Sequence, residues 1–321
     1  MQSRRSAVAV GVIGLGIMGG AFARHLSSAG FRVTGFDVLE AKRAELRALG
    51  GGSALSAAEA ASQARIIITS LPSLEAFDQA LFDRNGVTAG ARRGTVIVEA
   101  STLPLAVKER ARQRLARRGV ILLDCPVSGT GAQAAVKDIA VYASGDQRAY
   151  LRCRKVIAGF SRSEYYCGDF GAGSKLKYIA NLLVTIHNLS TAEAMVLAER
   201  GGLDLDLVYR VIKDGAGSSR MFEVRGPLMV EQRYEPATMK VDVYQKDIAI
   251  IRDYAAALEC PTPLFTLSKL FYDAAYARGH GAQDTAAVHA IMREVAGLTT
   301  RRAAAKRRPQ RRKSSGVKTR A

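Results

Sequence analysis

Short β-branched runs and amphipathic stretches alternate through the first half of the chain. Residues 8–13 are apolar at nearly every position, the pattern of a strand covered on both faces. Residues 14–20 read as a glycine turn, 21–29 as a helix stopped by Gly30, and 31–37 as a second strand. A charged amphipathic helix over 39–49 is ended by Gly50, Gly51 and Gly52. Residues 65–70, 95–99 and 120–124 predict three further strands, separated by helices near 74–81 and 104–118. Another strand is expected at 139–143 and a helix near 149–157. Strands alternating with helices in this way predict an α/β fold with a doubly wound parallel sheet.

The period then changes. After Gly171, a helical register runs over 174–200 without Pro or further Gly, and it is apolar on most faces, so neighbours must surround it. Helices also fit 205–213, 244–258, 264–278 and 284–295, and no strand pattern returns. The expected organisation is a dinucleotide-binding domain over 1–168, an all-helical domain over 169–297 joined through the long helix, and a basic tail over 298–321.

The tail changes the meaning of the net charge. The chain of 321 residues carries +18, but residues 301–321 hold ten Lys and Arg and no acid, which leaves +8 for the rest. A nearly apolar-free segment cannot offset its ordering entropy, so disorder is expected there. With 48% hydrophobic and 24% charged residues, the chain as a whole is excluded from the disordered class. The four cysteines form no CxxC pair and have no His at zinc-finger spacing, which fits reduced thiols in a cytoplasm and argues against a structural metal. Arg4-Arg5 before a Gly- and Ala-rich apolar run has the outline of an export signal. Its glycine punctuation, with a second strand soon after, favours a first strand entering a turn. No segment has the twenty or so apolar residues of a membrane span.

Gly14-Leu15-Gly16-Ile17-Met18-Gly19 is a GxGxxG turn between a strand and a helix. One glycine makes the turn, the second lets the backbone approach a pyrophosphate, and the third lets helix and strand pack closely. Asp37 ends the second strand, where a carboxylate accepts both hydroxyls of an adenosine ribose and repels a 2′-phosphate. NAD is therefore expected in preference to NADP.

Two more segments carry chemistry. Asp124-Cys125-Pro126-Val127-Ser128-Gly129-Thr130-Gly131 follows a parallel strand at its C-terminal end, where ligands of open α/β sheets bind. Its hydroxyls and backbone N–H groups suit a carboxylate, although a polar strand-to-loop turn explains the composition equally well. Lys177 and Asn181, four apart, share one face of the long helix. A lysine whose pKa is lowered by burial and a nearby cation serves as a general acid or base. Taken alone, the pair reads better as a snorkelling Lys and a capped Asn.

Together these blocks resemble the β-hydroxyacid dehydrogenases, over about residues 8–296. The resemblance rests on the GxGxxG turn, Ser101-Thr102, Pro126-Val127-Ser128-Gly129, Lys177 with Asn181, Lys246-Asp247-Ile248, and Asp284 in a late Gly-x-x-Asp stretch, in that order. It implies a Rossmann domain followed by a helical domain. The implied activity is hydride transfer between NAD(P) and the hydroxyl-bearing carbon of a short hydroxy acid or its semialdehyde. Gly14, Leu15, Gly16, Ile17, Met18 and Gly19 would hold the pyrophosphate, Asp37 the adenosine ribose and Thr102 the nicotinamide ribose. Lys246 would reach back to the cofactor. Ser128, Gly129 and Thr130 would take the substrate carboxylate, Asn181 would orient the substrate, and Lys177 would transfer the proton. A homodimer or homotetramer is also implied.

The chain departs from the family pattern at several places. Thr130 replaces a usual glycine, Cys125 a common alanine, Lys137-Asp138 a usual Gly-Thr, and Ala180 a frequent asparagine. These put the substrate in doubt. The presence of Lys177 separates the chain from the related imine reductases, which commonly lack it. A second reading is a nucleotide-sensing or polyanion-binding module with vestigial chemistry, motivated by the tail. The four histidines form no metal pair, and His187 on the long helix is expected to be a core residue.

Overall fold

The structure, a computed structural model, describes residues 7–298. Apart from Leu298, the expected basic tail lies outside the described residues, as does Arg4-Arg5.

The chain runs β1 (Ala9–Ile13), α1 (Ile17–Ser28), β2 (Arg32–Phe36), α2 (Glu40–Ala48), β3 (Gly52–Ser53), α3 (Ala57–Ser62), β4 (Ile66–Thr69), α4 (Leu74–Phe82), α5 (Val87–Gly90), β5 (Val96–Glu99), α6 (Leu105–Ala116) and β6 (Ile121–Asp124). These six strands form one parallel sheet in the order β3-β2-β1-β4-β5-β6. Strand order reverses between β1 and β4, and a crevice opens at the carboxyl ends of the strands flanking such a point. Alternate strand residues feed two cores. Val10, Val12, Ile68, Val98 and Leu123 pack with Phe22, Leu26, Val156 and Phe160 on one face. Ile13, Ile67, Ile97 and Leu122 pack with Ala60, Phe77, Leu81 and Leu115 on the other. Burial on both faces is why these strands read as unbroken apolar runs.

The chain continues as β7 (Val127–Ser128), α7 (Gly131–Ala135), β8 (Ala140–Ala143), α8 (Gln147–Phe160) and β9 (Ser163–Tyr166). The strand expected at 139–143 leaves the parallel sheet and lies between β7 and β9 in a separate three-stranded sheet, antiparallel to β7. Hydrophobic period identifies a strand but not its partner, and the two-residue β7 is too short to show a period at all.

The rest is helical: α9 (Ala172–Arg200), α10 (Leu205–Lys213), α11 (Arg220–Val230), α12 (Val241–Ala257), α13 (Pro263–Ala277), a 3₁₀ turn (Thr285–Ala287) and α14 (Val288–Val295). The 29-residue α9 is the axis, about 43 Å long, with α11, α12, α13 and α14 packed on it. It is not surrounded on every side as its sequence suggested: Leu176, Ile179 and Leu183 are exposed. The helix α11 has no counterpart in the sequence reading, because Gly226 and Pro227 interrupt its pattern. It forms nonetheless, capped by the Ser219 hydroxyl on the Phe222 N–H and packed against α9. His187 is half-buried, and the histidine in the core is His289.

Candidate active site

The glycine turn shows three separate uses of a missing side chain. Gly14 has φ +86°, and a Cβ there would lie 2.2 Å from the Ser70 carbonyl oxygen, so the turn hugs the end of β4. A Cβ on Gly19 would lie 1.8 Å from the Gly14 carbonyl oxygen, which fixes how closely α1 meets β1. A Cβ on Gly16 would meet nothing within 4 Å. That open cradle sits at the start of α1, where Gly16 provides no side-chain cap and the first-turn N–H groups have no partner within the helix. A dinucleotide pyrophosphate fits this end of the helix.

Asp37 stands beside the cradle. Its carboxylate accepts from the Leu15 N–H at 2.7 Å and the Leu39 N–H at 2.9 Å, so it joins the end of β2 to the glycine turn. The nearby cations are engaged by acids of α2: Lys42 with Glu45 at 2.7 Å, and Arg43 with Glu40 at 2.6 Å.

Across the crevice, Gly129 adopts φ +141° and opens the loop to α7. Thr130 caps α7 reciprocally: its N–H donates to the Gln133 side-chain oxygen at 2.9 Å, and its hydroxyl accepts from the Gln133 N–H at 3.3 Å. Both polar groups expected to face a substrate are thus engaged within the loop. The Ser128 hydroxyl has no protein partner among the described residues. Lys137 takes the left-handed conformation, φ +64°, and Asp138 pairs with Arg162 at 2.7 Å and with Arg220 of α11 at 2.9 Å. The Arg162 and Gln133 contacts hold the Asp138 carboxyl below its usual range, the Gln133 bond most of all.

The long helix brings the second set of residues to this crevice. Lys177 is 8% exposed, and its amine makes no hydrogen bond within the protein among the described residues. Burial pushes its pKa below the ordinary lysine range; the Asp247 carboxylate opposes that shift and the Lys246 ammonium adds to it. Asn181, one turn on, donates from its amide to Asp247 at 2.9 Å. Lys246 lies 3.1 Å from the same carboxylate and donates to the Thr102 carbonyl at 2.6 Å. Thr102 therefore meets the helical part through its backbone. Among the described residues no cluster of His, Cys, Asp or Glu could hold a metal ion.

Comparison with known proteins identifies the family. Residues 9–168 match the family described as the NAD binding domain of 6-phosphogluconate dehydrogenase, and residues 171–292 the family described as NAD-binding of NADP-dependent 3-hydroxyisobutyrate dehydrogenase. An L-threonate dehydrogenase of Cupriavidus necator is 36% identical over 87% of this chain and 94% of its own length. The chain belongs to the β-hydroxyacid dehydrogenase family. An NAD-dependent L-serine dehydrogenase of Pseudomonas aeruginosa is 27% identical over 88% of this chain and 97% of its own length. A solved 3-hydroxyisobutyrate dehydrogenase from Salmonella typhimurium superposes with TM-score 0.81 at 35% identity, covering 88% of this chain and 99% of that one.

This β-hydroxyacid dehydrogenase is an NAD(P)-dependent enzyme acting on a hydroxy acid, and that outweighs the sensing or polyanion-binding alternative. No described helix is long and apolar enough to cross a membrane. One residue beside Lys177 and Asn181 had no role assigned from sequence. Asp247 accepts from the Asn181 amide and opposes the lowering that burial imposes on the Lys177 pKa. Its signal was available: an acid on the apolar side of a helix needs a partner, and burying it alone is costly.

Proposed function

We propose that Lys177 is the proton-transfer group of a short-chain hydroxy-acid dehydrogenase: general base when the alcohol is oxidised, general acid when the semialdehyde is reduced. The observation that carries this is a buried amine with a lowered pKa and no hydrogen-bond partner among the described residues, one turn from Asn181. Lowering the pKa enlarges the fraction of amine that is free to accept a proton, which a solvated lysine offers little of. The bound nicotinamide supplies the hydride acceptor or donor. Gly14 to Gly19 hold the pyrophosphate through the open cradle at Gly16 and the free N–H groups of α1. Asp37 holds the adenosine ribose, and Thr102 and Lys246 flank the nicotinamide ribose.

The substrate carboxylate is received by the Ser128 hydroxyl and the Gly129 backbone, with Thr130 shaping the loop, and Asn181 orients the carbinol. Position and proton transfer are the protein's share of the chemistry. NAD is preferred over NADP, supported by the Asp37 carboxylate and by the pairing of Lys42 and Arg43 with acids. L-threonate, L-serine and 3-hydroxyisobutyrate, with their oxidised counterparts, are the first compounds to assay.

The boundary between the dinucleotide-binding and helical domains falls at residues 168–169, ahead of the Gly171 turn into α9. The enzyme works as a homodimer or homotetramer in the cytoplasm, supported by the exposed Leu176, Ile179 and Leu183 stripe and by four free cysteines. A weak polyanion contact through the tail belongs to residues outside those described. The test is Lys177→Ala: turnover falls by about 10²–10⁴-fold while NAD still binds. Unchanged turnover on the compound that the native enzyme oxidises overturns the assignment.

A further inference from the structure

Beneath the first turn of α9 lies a group of buried charges that proton transfer does not use directly. Lys108 of α6, Asp124 at the end of β6 and Glu99 at the end of β5 are all 0% exposed. Lys108 Nζ donates to an Asp124 carboxylate oxygen at 2.9 Å and stands 4.0 Å from Glu99. Two acids and one ammonium are an expensive way to fill a core, since apolar side chains of the same volume do it without desolvating ions. The contacts of the group indicate what it does instead.

Asp124 takes the place of a helix cap. Gly171 opens α9 with no side chain to offer, and the Asp124 carboxylate accepts the Ser174 N–H at 2.7 Å and the Ser174 hydroxyl at 2.8 Å. Ser144 accepts the Gly173 N–H at 3.0 Å. A Cβ on Gly173 would come 2.2 Å from the Tyr142 carbonyl oxygen, so the helix start is seated directly on the sheets. Lys177 is three residues on from Ser174, nearly on the same face.

The other side of Lys108 holds the loop after β5. Its amine donates to the Ser101 carbonyl at 2.7 Å. The next carbonyl, Thr102, accepts from Lys246 of α12 at 2.6 Å, and the next, Leu103, accepts from the Tyr178 hydroxyl of α9 at 2.6 Å. Three successive carbonyls are thus held by three different helices.

We infer that Lys108 and Asp124 are positioning residues for proton transfer: their buried pair fastens the first turn of α9 and the loop at 101–103 to one point, and so sets where the Lys177 amine stands relative to the nicotinamide. This rests on the assignment of Lys177 above. The charged groups facing Lys177 are Asp247 and Lys246 of α12, which the variants below leave in place; Asp124, Lys108 and Glu99 lie beneath the helix start.

The test compares Asp124→Asn, Lys108→Met and Ser174→Ala with the native enzyme. Each is measured for melting temperature, for NAD affinity by fluorescence, and for kcat across pH with the best hydroxy acid. A shift of about 1 Å at a reacting group costs on the order of 10²-fold in rate, so kcat should fall at least about tenfold in the first two and about threefold in Ser174→Ala. NAD affinity should change by less than about threefold. The pH of half-maximal kcat should rise toward the ordinary lysine range, because a loosened helix admits water to Lys177. Lower melting temperature with native kcat and a native pH profile, in Asp124→Asn or Ser174→Ala, overturns the inference. If Asp124→Asn and Lys108→Met do not fold, Ser174→Ala decides alone by the same criteria. If Lys177→Ala keeps its turnover, the functional assignment falls first; if it is inactive and the three variants behave as native, only the positioning role falls.

Discussion

The same methyl group, added at two glycines three residues apart, should have opposite consequences. In Gly19→Ala the new carbon would stand 1.8 Å from the Gly14 carbonyl oxygen. Ordinary contact needs at least 3.4 Å, so α1 must retreat from β1 by more than 1 Å. Overpacking of that kind costs about 1–3 kcal/mol, or roughly 3–10 °C in melting temperature for a domain of this size. In Gly16→Ala the methyl meets nothing, and its backbone, φ −64° and ψ −162°, suits any residue. A poorer cap is offset by a less flexible unfolded chain, and stability should stay within about 1 kcal/mol.

The Gly16 methyl would fill the open space proposed above for the pyrophosphate. Losing one charge-assisted hydrogen bond there costs about 1.5–3 kcal/mol, which is roughly ten- to a hundredfold in NAD affinity. Thermal melts with and without NAD separate the two effects. Gly19→Ala should melt early, and Gly16→Ala should melt as native but gain little from NAD. A Gly16→Ala protein that binds NAD as tightly as native, or a Gly19→Ala protein with native melting, refutes the reading of the turn.

Further outcomes can be checked directly. Asp247→Asn removes the charge that opposes burial at Lys177, so the pH of half-maximal kcat should fall, and KM should rise as Asn181 loses its anchor; an upward shift contradicts the electrostatics. Asp37→Ser should raise KM for NAD and reduce discrimination against NADP at least about tenfold, as seen in initial rates with both cofactors. His289 has its pKa lowered to about 4 by burial, chiefly, and by Arg293. Neutral in the fold, it contributes stability that is complete above pH 6.5 and lost as pH falls from there through about 4, a loss of about 3 kcal/mol. Urea melts at pH 7 and 4.5 should therefore show a shallower acid loss in His289→Asn, and an equal loss in both proteins refutes it.

Much of the framework was legible because it is local. The strands of the parallel sheet are apolar on both faces, α9 has an uninterrupted register, and GxGxxG between strand and helix admits few other uses. The order of matched blocks named the family. What was not legible depends on groups distant in sequence. The strand at 140–143 looked like its neighbours, yet its partners are Val127–Ser128 and Ser163–Tyr166, outside the parallel sheet. Thr130 looked like a substrate contact, yet Gln133 engages both of its polar groups. Lys177 was ambiguous because a lysine's pKa follows its surroundings. Its burial, the opposing charge of Asp247 and the seat provided by Asp124 come from α12 and β6, elements 70 residues later and 53 residues earlier in the chain. The sequence determined which residues could do the chemistry. Tertiary structure decided which amine is held out of water, because desolvation and Coulomb fields belong to the neighbours that folding assembles.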